Sequence, residues 1–588
     1  MMNKRINILL LIGAVFASVS LQAQTTFYLD GYGRALTTTD QLKGDLIDQD
    51  TIGLPRKGVS GYTLFDLGLN LEKDKTFKVN AILRARNEFG LFWGQGTDME
   101  FRQIRLEGII GKGVKYEIGD VYVQMTPYTL FNSEEMYNDY ESEIFAQRRG
   151  ILEYENFIQG NSWRLQGVKS YANILFDKGI DKLGLYGFGV RTQPANQIGQ
   201  SDRIMAGLNA TVTQSENLKV GFNYIGIQNL NISTSLIEYS NHVGTATLDY
   251  NRDLTDDFGV FLNGEGGNSS YSQYRLVDDK EVTKSDYFYD GKIGIEYKPL
   301  MMKLSGGFKN VGADFSSPGA QTTRFNQTSN PRVFSQVRDT LGSTGGPIQR
   351  YTTLYDRFTN EGAYIQGISD KLLTYAPQYS NINPYGKATP NRTGLQLNLS
   401  AGDRDSLFQA SVGFDMMKEI RPDNNAEAKL REFTGIQGGF LVNVDKAIGF
   451  DRDIVLTAGY RSEATKRDGT DNIDLSSVLL DFGLSVEVLP SLDLMVGYKS
   501  YKAEGNEYVA VLNDFNQYSG LPYELSIDSE ETMLSLGARF NFSEDAALTA
   551  NYNIVSYKNN KANADLDLST ENAGYDMSQL FISYIMKF

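Results

Sequence analysis

Residues able to do acid–base or nucleophilic chemistry are scarce: the 588-residue chain carries one histidine, His242, and no cysteine. An imidazole acting as a general base needs a hydroxyl or thiol nucleophile within hydrogen-bond reach. The position two residues along, on the same face of an extended segment, is Gly244. His242 therefore reads as a rim residue near a loop. Without thiols there is no disulfide and no cysteine-ligated metal, and a lone histidine cannot build a clustered imidazole site, so no cofactor is expected. Carboxylates by themselves suit calcium at most. Asp45, Asp48, Asp50, Glu134, Glu135, Asp139, Glu141 and Glu143 fall in polar stretches without EF-hand spacing, and solvated loop tips are the plainer expectation for them. Gly111-Lys112-Gly113 lacks the rest of a phosphate-binding loop and reads as a tight turn.

The chemistry that remains is electrostatic. Arg84, Arg86, Arg105 and Arg191, with Lys78, sit on one parity of apolar-alternating segments in the first third of the chain, with Glu107 as an acidic companion. Later segments place Arg461, Lys499 and Arg539 against Asp415, Asp481 and Glu487 in the same way. If the alternate positions face lipid, these charges must face the other way, because a lipid-facing Arg or Lys near the midplane costs roughly 2–4 kcal/mol. Two readings follow. Basic and acidic walls facing each other across a lumen would make a transverse field that screens solutes; ion pairs among them would fill and stiffen the interior instead. Arg148 and Arg149 could join either arrangement. Tyr351, Tyr355, Tyr364, Tyr375, Tyr379 and Tyr385 could stack on sugar rings.

The elements that must position these residues are strands. Side chains alternate between the two faces of a strand, and a period of two recurs along the chain. Leu580, Ile582, Tyr584, Met586 and Phe588 oppose Gln579, Ser583 and Lys587; Val478, Leu480, Phe482, Leu484 and Val486 oppose Asp481, Gly483, Ser485 and Glu487; Phe65, Leu67, Leu69 and Leu71 oppose Asp66, Gly68 and Asn70. Short connections at Lys73-Asp74, Gly111-Lys112-Gly113, Ser215-Glu216, Pro299-Leu300, Arg404-Asp405, Pro490-Ser491 and Glu544-Asp545 alternate with long polar stretches at 124–161, 312–393 and 504–528. The spacing predicts an all-β, antiparallel up-and-down barrel of about twenty-two strands with short periplasmic turns and long outer loops. Ile151 to Ile158 is a candidate for a further wall strand. Pro318, Pro331, Pro347, Pro377, Pro384 and Pro390 crowd into 312–393, which is therefore a large loop and a candidate lumen insert.

Lys4 and Arg5, the apolar run from Ile8 to Val19 and Ala23 have the order of a secretory signal peptide, residues 1–23, leaving 24–588 as the barrel. No later stretch has the length of a membrane-spanning helix. Tyr224, Tyr460, Tyr498, Tyr552, Phe540 and Phe258 close apolar faces where aromatic girdles are expected. The formal charge of −16 becomes −18 once Lys4 and Arg5 leave, so no nucleic-acid partner is expected.

The run from Leu580 to Phe588 resembles the assembly signal of Gram-negative outer-membrane barrels. With Ile118-Gly119-Asp120-Val121-Tyr122, Arg148-Arg149-Gly150 and Arg164-Leu165-Gln166-Gly167, the chain resembles uncharacterised porin-like barrels of Bacteroidota. That resemblance implies residence in the cell outer membrane, contact with lipid and lipopolysaccharide, and handling by the barrel-assembly machinery. It resembles neither the lipid-face hydrolases, which carry a serine where Gly244 stands, nor the plugged TonB-dependent transporters, which place a plug domain before the first strand. The function expected is a porin-like channel for diffusion of small polar solutes, not an enzyme. The alternative is a plugged structural or docking barrel whose loops bind surface polysaccharide or a partner protein.

Overall fold

Alternation of apolar and polar side chains is satisfied here by closing one sheet on itself. In the computed structural model the chain forms a 22-stranded antiparallel barrel. The structure describes residues 25–44, 58–74, 76–89, 96–111, 113–133, 139–160, 162–195, 201–230, 237–275, 279–325, 352–422, 429–469, 471–509, 512, 522–560 and 573–588. The expected signal peptide, the loop acids Asp45, Asp48, Asp50, Glu134 and Glu135, and Tyr351 lie outside them.

The first seven strands are β1 (Thr25–Lys43), β2 (Val59–Lys73), β3 (Phe77–Glu88), β4 (Thr97–Ile110), β5 (Val114–Val123), β6 (Trp163–Leu175) and β7 (Lys182–Gln193). Next come β8 (Arg203–Ser215), β9 (Leu218–Asn229), β10 (Ile237–Asp253), β11 (Phe258–Arg275), β12 (Lys280–Tyr297), β13 (Met302–Val311) and β14 (Arg392–Gly402). The rest are β15 (Phe408–Lys418), β16 (Glu432–Asn443), β17 (Ile454–Arg467), β18 (Ile473–Leu489), β19 (Leu492–Val509), β20 (Tyr523–Ser543), β21 (Ala546–Asn559) and β22 (Ala573–Lys587). Each pairs with its sequence neighbour, and β1 pairs with β22 from Tyr32↔Lys587 to Lys43↔Asp576, which removes the sheet edges. The seven short turns anticipated in the sequence all lie on one end of the barrel, with the start of β1 and the end of β22. Both ends of the stretch 504–528 are strand, since β19 runs on to Val509 and β20 begins at Tyr523.

The outward face is apolar and exposed all round, as at Phe27, Ile104, Val168, Leu208, Phe222, Ile293, Leu397, Val412, Leu480, Leu536 and Leu580. Tyr224, Phe258, Tyr460, Tyr498, Phe540 and Tyr552 are on the same face. Such a surface is stable only against hydrocarbon. At the seam, Gly31 and Phe588 exchange backbone hydrogen bonds of 2.9 and 3.1 Å. Phe588 also stacks on Phe65.

The described parts of two long connections fold into the barrel. The first insert, residues 124–133, 139–160 and 162, contains α1 (Glu143–Asn156), where a wall strand was a candidate at Ile151 to Ile158. Its buried residues Ile144, Phe145, Arg148, Ile151 and Leu152 follow a helical stripe, not a period of two. The second insert, residues 312–325 and 352–391, contains the short helix α2 (Leu354–Thr359), closed at its start by a Thr353–Asp356 capping box.

Candidate functional site: the filled lumen

What faces the lumen differs from one sector of wall to the next. On β18–β22 the inward residues Leu479, Met495, Met533, Val555 and Met577 are buried against Ile144, Phe145, Leu354, Tyr355 and Phe358 of the inserts. Gly483, Gly497 and Gly537 let α1 come this close: a Cβ on Gly497 would lie 2.4 Å from Ile144, and one on Gly483 would lie 2.3 Å from Ser142. On β5–β13, inward Trp163, Phe188, Met205, Ile225 and Phe288 close over Tyr128, Leu130 and Phe315.

Polar anchors supplement this apolar seal. Wall carboxylates accept backbone N–H groups of the inserts: Asp481 from Ser142 at 3.3 Å, Glu531 from Leu354 at 2.7 Å and Glu463 from Asn381 at 2.9 Å. These bonds satisfy insert backbone that would otherwise be buried without partners.

The residues of the anticipated charge ladder pair locally. Arg84 lies inward, 2.7 Å from Asp66 on the adjacent strand and 2.8 Å from Glu155 of α1. Arg86 pairs with Glu88 at 2.9 Å and approaches Glu155 at 3.8 Å. Arg105 pairs with Glu107 at 2.6 Å. Arg461 pairs with Glu463, its neighbour two residues along. Lys499 bridges Asp481 at 2.9 Å and Glu141 at 2.6 Å, and Arg539 bridges Asp493 at 2.9 Å and Glu143 at 2.8 Å. The charges thus pair along or between adjacent strands and with α1, not wall to wall across open space. Close approach is the physical reason, since Coulomb energy falls with separation and a buried charge needs a direct partner.

Arg191 is a correction. Inward Phe188 and Val190 fix the parity of β7, so Arg191 lies on the outward face at the strand end, where it is half exposed and 2.6 Å from Asp202. The inner face of this sector is apolar, and the rule that charge points inward fails near the rim.

Sequence reading missed Arg34 and Arg102. Arg34 contacts Glu155, and Arg102 reaches Asp66 at 3.2 Å and the Tyr154 carbonyl. Arg102 is the extra residue of a β-bulge in β4 opposite Ile82 and Leu83. The Ile118–Tyr122 motif serves the same irregularity, with Asp120 accepting the Ile104 N–H at 2.7 Å and Gly119 at φ +105°. α1 is therefore an acidic crossbar, held at its start by Lys499 and Arg539 and at its end by Arg34, Arg84 and Arg102. Arg149 ties Glu141 to Glu153 along it at 2.8 and 2.7 Å. Burial by itself would raise the Glu141 carboxyl, but Lys499 and Arg149 hold it below its ordinary value.

Tyr355, Tyr364, Tyr379 and Tyr385 are buried in the contacts of the second insert and are not open stacking platforms; Tyr379 donates to Glu531 and tilts against Tyr501. His242 is on the outward face, with Nδ1 2.8 Å from the Tyr224 hydroxyl. Among the described residues no group of acids or histidines is placed to hold a metal ion.

Space remains beside the inserts. One cavity of about 480 Å³ is lined by Arg84, Glu100, Arg102, Asp120, Glu155 and Arg164, among others. Another, of about 530 Å³, lies between both inserts and β14–β17. Its lining includes Tyr140, Ile382, Gln396, Asn398, Ser411, Asp415, Gln437, Arg461 and Glu463.

No family model matches the sequence, and no curated protein does. Solved structures of similar form include OccK8 (OprE) of Pseudomonas aeruginosa, 8% identical with a TM-score of 0.37 over 95% of this chain and 98% of that one. OccD1 (OprD) is 9% identical with a TM-score of 0.35 over 96% of each chain. OmpT of Vibrio cholerae is 10% identical with a TM-score of 0.28 over 97% of this chain and 99% of that one. The strand pairing and the exposed apolar belt make this an outer-membrane β-barrel of a Gram-negative cell.

Proposed function

We propose that the protein is a selective channel through which small polar solutes diffuse, entering along the β14–β17 side of a lumen largely filled by its inserts. The observation that carries this reading is the contrast in lining. Apolar contacts seal the inserts to β5–β13 and β18–β22, while the cavity of about 530 Å³ against β14–β17 is polar. A polar, narrow passage sorts solutes by size and hydrogen bonding. Tyr140 obstructs it: its ring lies on Gly439, where an added Cβ would be 2.6 Å away, and its hydroxyl donates to Ser411 at 2.7 Å.

The test is planar-bilayer conductance of the purified chain. Discrete ohmic steps are expected, with larger steps for Tyr140→Ala. Absence of steps from both proteins would overturn the channel reading.

The depth of apolar filling favours a second reading, a plugged barrel whose outer loops dock surface polysaccharide or a partner protein. A partner that co-purifies from membranes, together with no conductance, supports it. Under either reading residues 1–23 serve as the export signal. Leu580, Ile582, Tyr584, Met586 and Phe588 serve as the assembly signal read by the barrel-assembly machinery, and lipopolysaccharide meets the outer belt. Kinship with porin-like barrels of Bacteroidota belongs to the same proposal.

A further inference from the structure

Register places the lining of the β14–β17 cavity on three rungs. The rung nearest the outer loops is Gln396, Asp415, Gly435 and Glu463; the middle one is Asn398, Gly413, Gln437 and Arg461; the lowest is Ser400, Ser411, Gly439 and Gly459. The glycines leave a recess in the wall. A Cβ on Gly435 would lie 2.5 Å from Ile382, which roofs the recess from above, and Tyr140 on Gly439 floors it from below. Gly413, between Asn398 and Gln437, is its back.

The charged wall groups on the upper and middle rungs are engaged with neighbours. Asp415 accepts from Gln396 at 2.8 Å, and Glu463 accepts from Arg461 and from the Asn381 backbone. Asn398 and Gln437 are the inward groups on the middle rung that remain exposed, and among the described residues neither side-chain amide has a hydrogen-bond partner. Each amide offers a carbonyl acceptor and two N–H donors, a set that matches hydroxyls, which both donate and accept. The one charge on the middle rung, Arg461, is paired with Glu463, so an ion held between the two amides would leave its hydration uncompensated; Asp139, Lys387 and Asp415 line the cavity beyond that rung. The volume falls within the range of about 300–1,000 Å³ usual for small-molecule sites.

We propose that this recess binds a neutral polyhydroxylated solute of the size of a small sugar, with Asn398 and Gln437 hydrogen-bonding its hydroxyls against the Gly413 backbone. The site rests on the channel reading only for how the solute arrives. It is tested by saturation-transfer NMR on the full chain in detergent, with glucose, gluconate and glucosamine as probes of equal size and different charge. Transfer to glucose is expected to exceed transfer to either ion. The Asn398→Ala/Gln437→Ala double variant should weaken glucose binding about tenfold. Gly413→Ala, whose Cβ would sit 2.9 Å from the Asn398 Oδ1, leaves the strand pairing intact and should weaken it too. Equal transfer to all three probes, preference for an ion, or glucose binding unchanged in both variants would overturn the site. Because binding is read without conduction, glucose transfer with no bilayer steps keeps the site and removes the channel, and steps without glucose transfer do the reverse.

Discussion

The walls β18–β20 and β14–β17 are built from the same alternating pattern and end in opposite states. On β18–β20 the inward parity carries Leu479, Met495 and Met533 beside Asp481, Lys499 and Arg539, and the inserts press against it. On β14–β17 the inward parity carries amides, hydroxyls, glycines and the charged Asp415, Arg461 and Glu463, with Met417 and Phe433 meeting Ile382 nearer the outer loops, and space is left in front of it. Both walls are equally apolar toward lipid. The difference is therefore written in the inner face alone, where clustered large apolar residues recruit insert and the exposed amides leave room in front of them.

The sharpest way to break that comparison is Lys499→Met. It strands Asp481 and part of the charge on Glu141 in a buried site, and a loss of about 3–5 kcal/mol is expected, read as a lower denaturant midpoint for the detergent-solubilised barrel. The same anchor has a sign in pH. A carboxyl lowered by folding adds stability above its ordinary value and loses it as pH falls through the folded value. For Glu141 the ordinary value is 4.5, so α1 should stay anchored at neutral pH and loosen below about that value, seen as faster hydrogen exchange over 141–156. In Lys499→Met the loosening should begin at higher pH.

A matched pair comes next. Met533→Ala in the sealed wall should cost about 2–5 kcal/mol, whereas Gln437→Ala in the open wall should stay within about 0.5 kcal/mol. Similar costs in the two walls would erase the distinction. The smallest expected effect is that of Arg86→Ala. Its pairing with Glu88 is partly exposed, although its guanidinium lies 3.8 Å from the Tyr62 ring centroid, and a loss of about 1 kcal/mol or less is expected.

Much of the barrel could be read in advance, because register allows a residue only two directions and hydrocarbon tolerates only one kind of side chain. Strand number, the tight turns and the seam residues Leu580 to Phe588 followed from that constraint. The interior was less legible. Leu479, Met495, Val555 and Phe581 stand on the polar parity and look like lapses in alternation; they are the docking points of the inserts. The stripe Ile144, Arg148, Ile151 and Leu152 did carry a helical period, but it lies in a region otherwise governed by a period of two. Arg84 and Lys499 stand on the polar parity, yet their partners, Glu155 on α1 and Glu141 just before it, lie at sequence distances no local pattern reports. Arg191 failed because parity was inferred from its own charge, when Phe188 and Val190 set the facing of that strand. The recess at Gly413 left only glycines as a signal, and these are common in barrel walls for other reasons.

α1 also constrains the order of events as the barrel is made. It follows β5, yet Ser142, Gln147 and Glu143 bond to Asp481, Thr549 and Arg539, which come 339, 402 and 396 residues later. Contacts so remote in sequence form late. A chain inserted strand after strand must carry this segment untethered through most of its maturation, so protease resistance between residues 139 and 160 would act as a clock for the final steps.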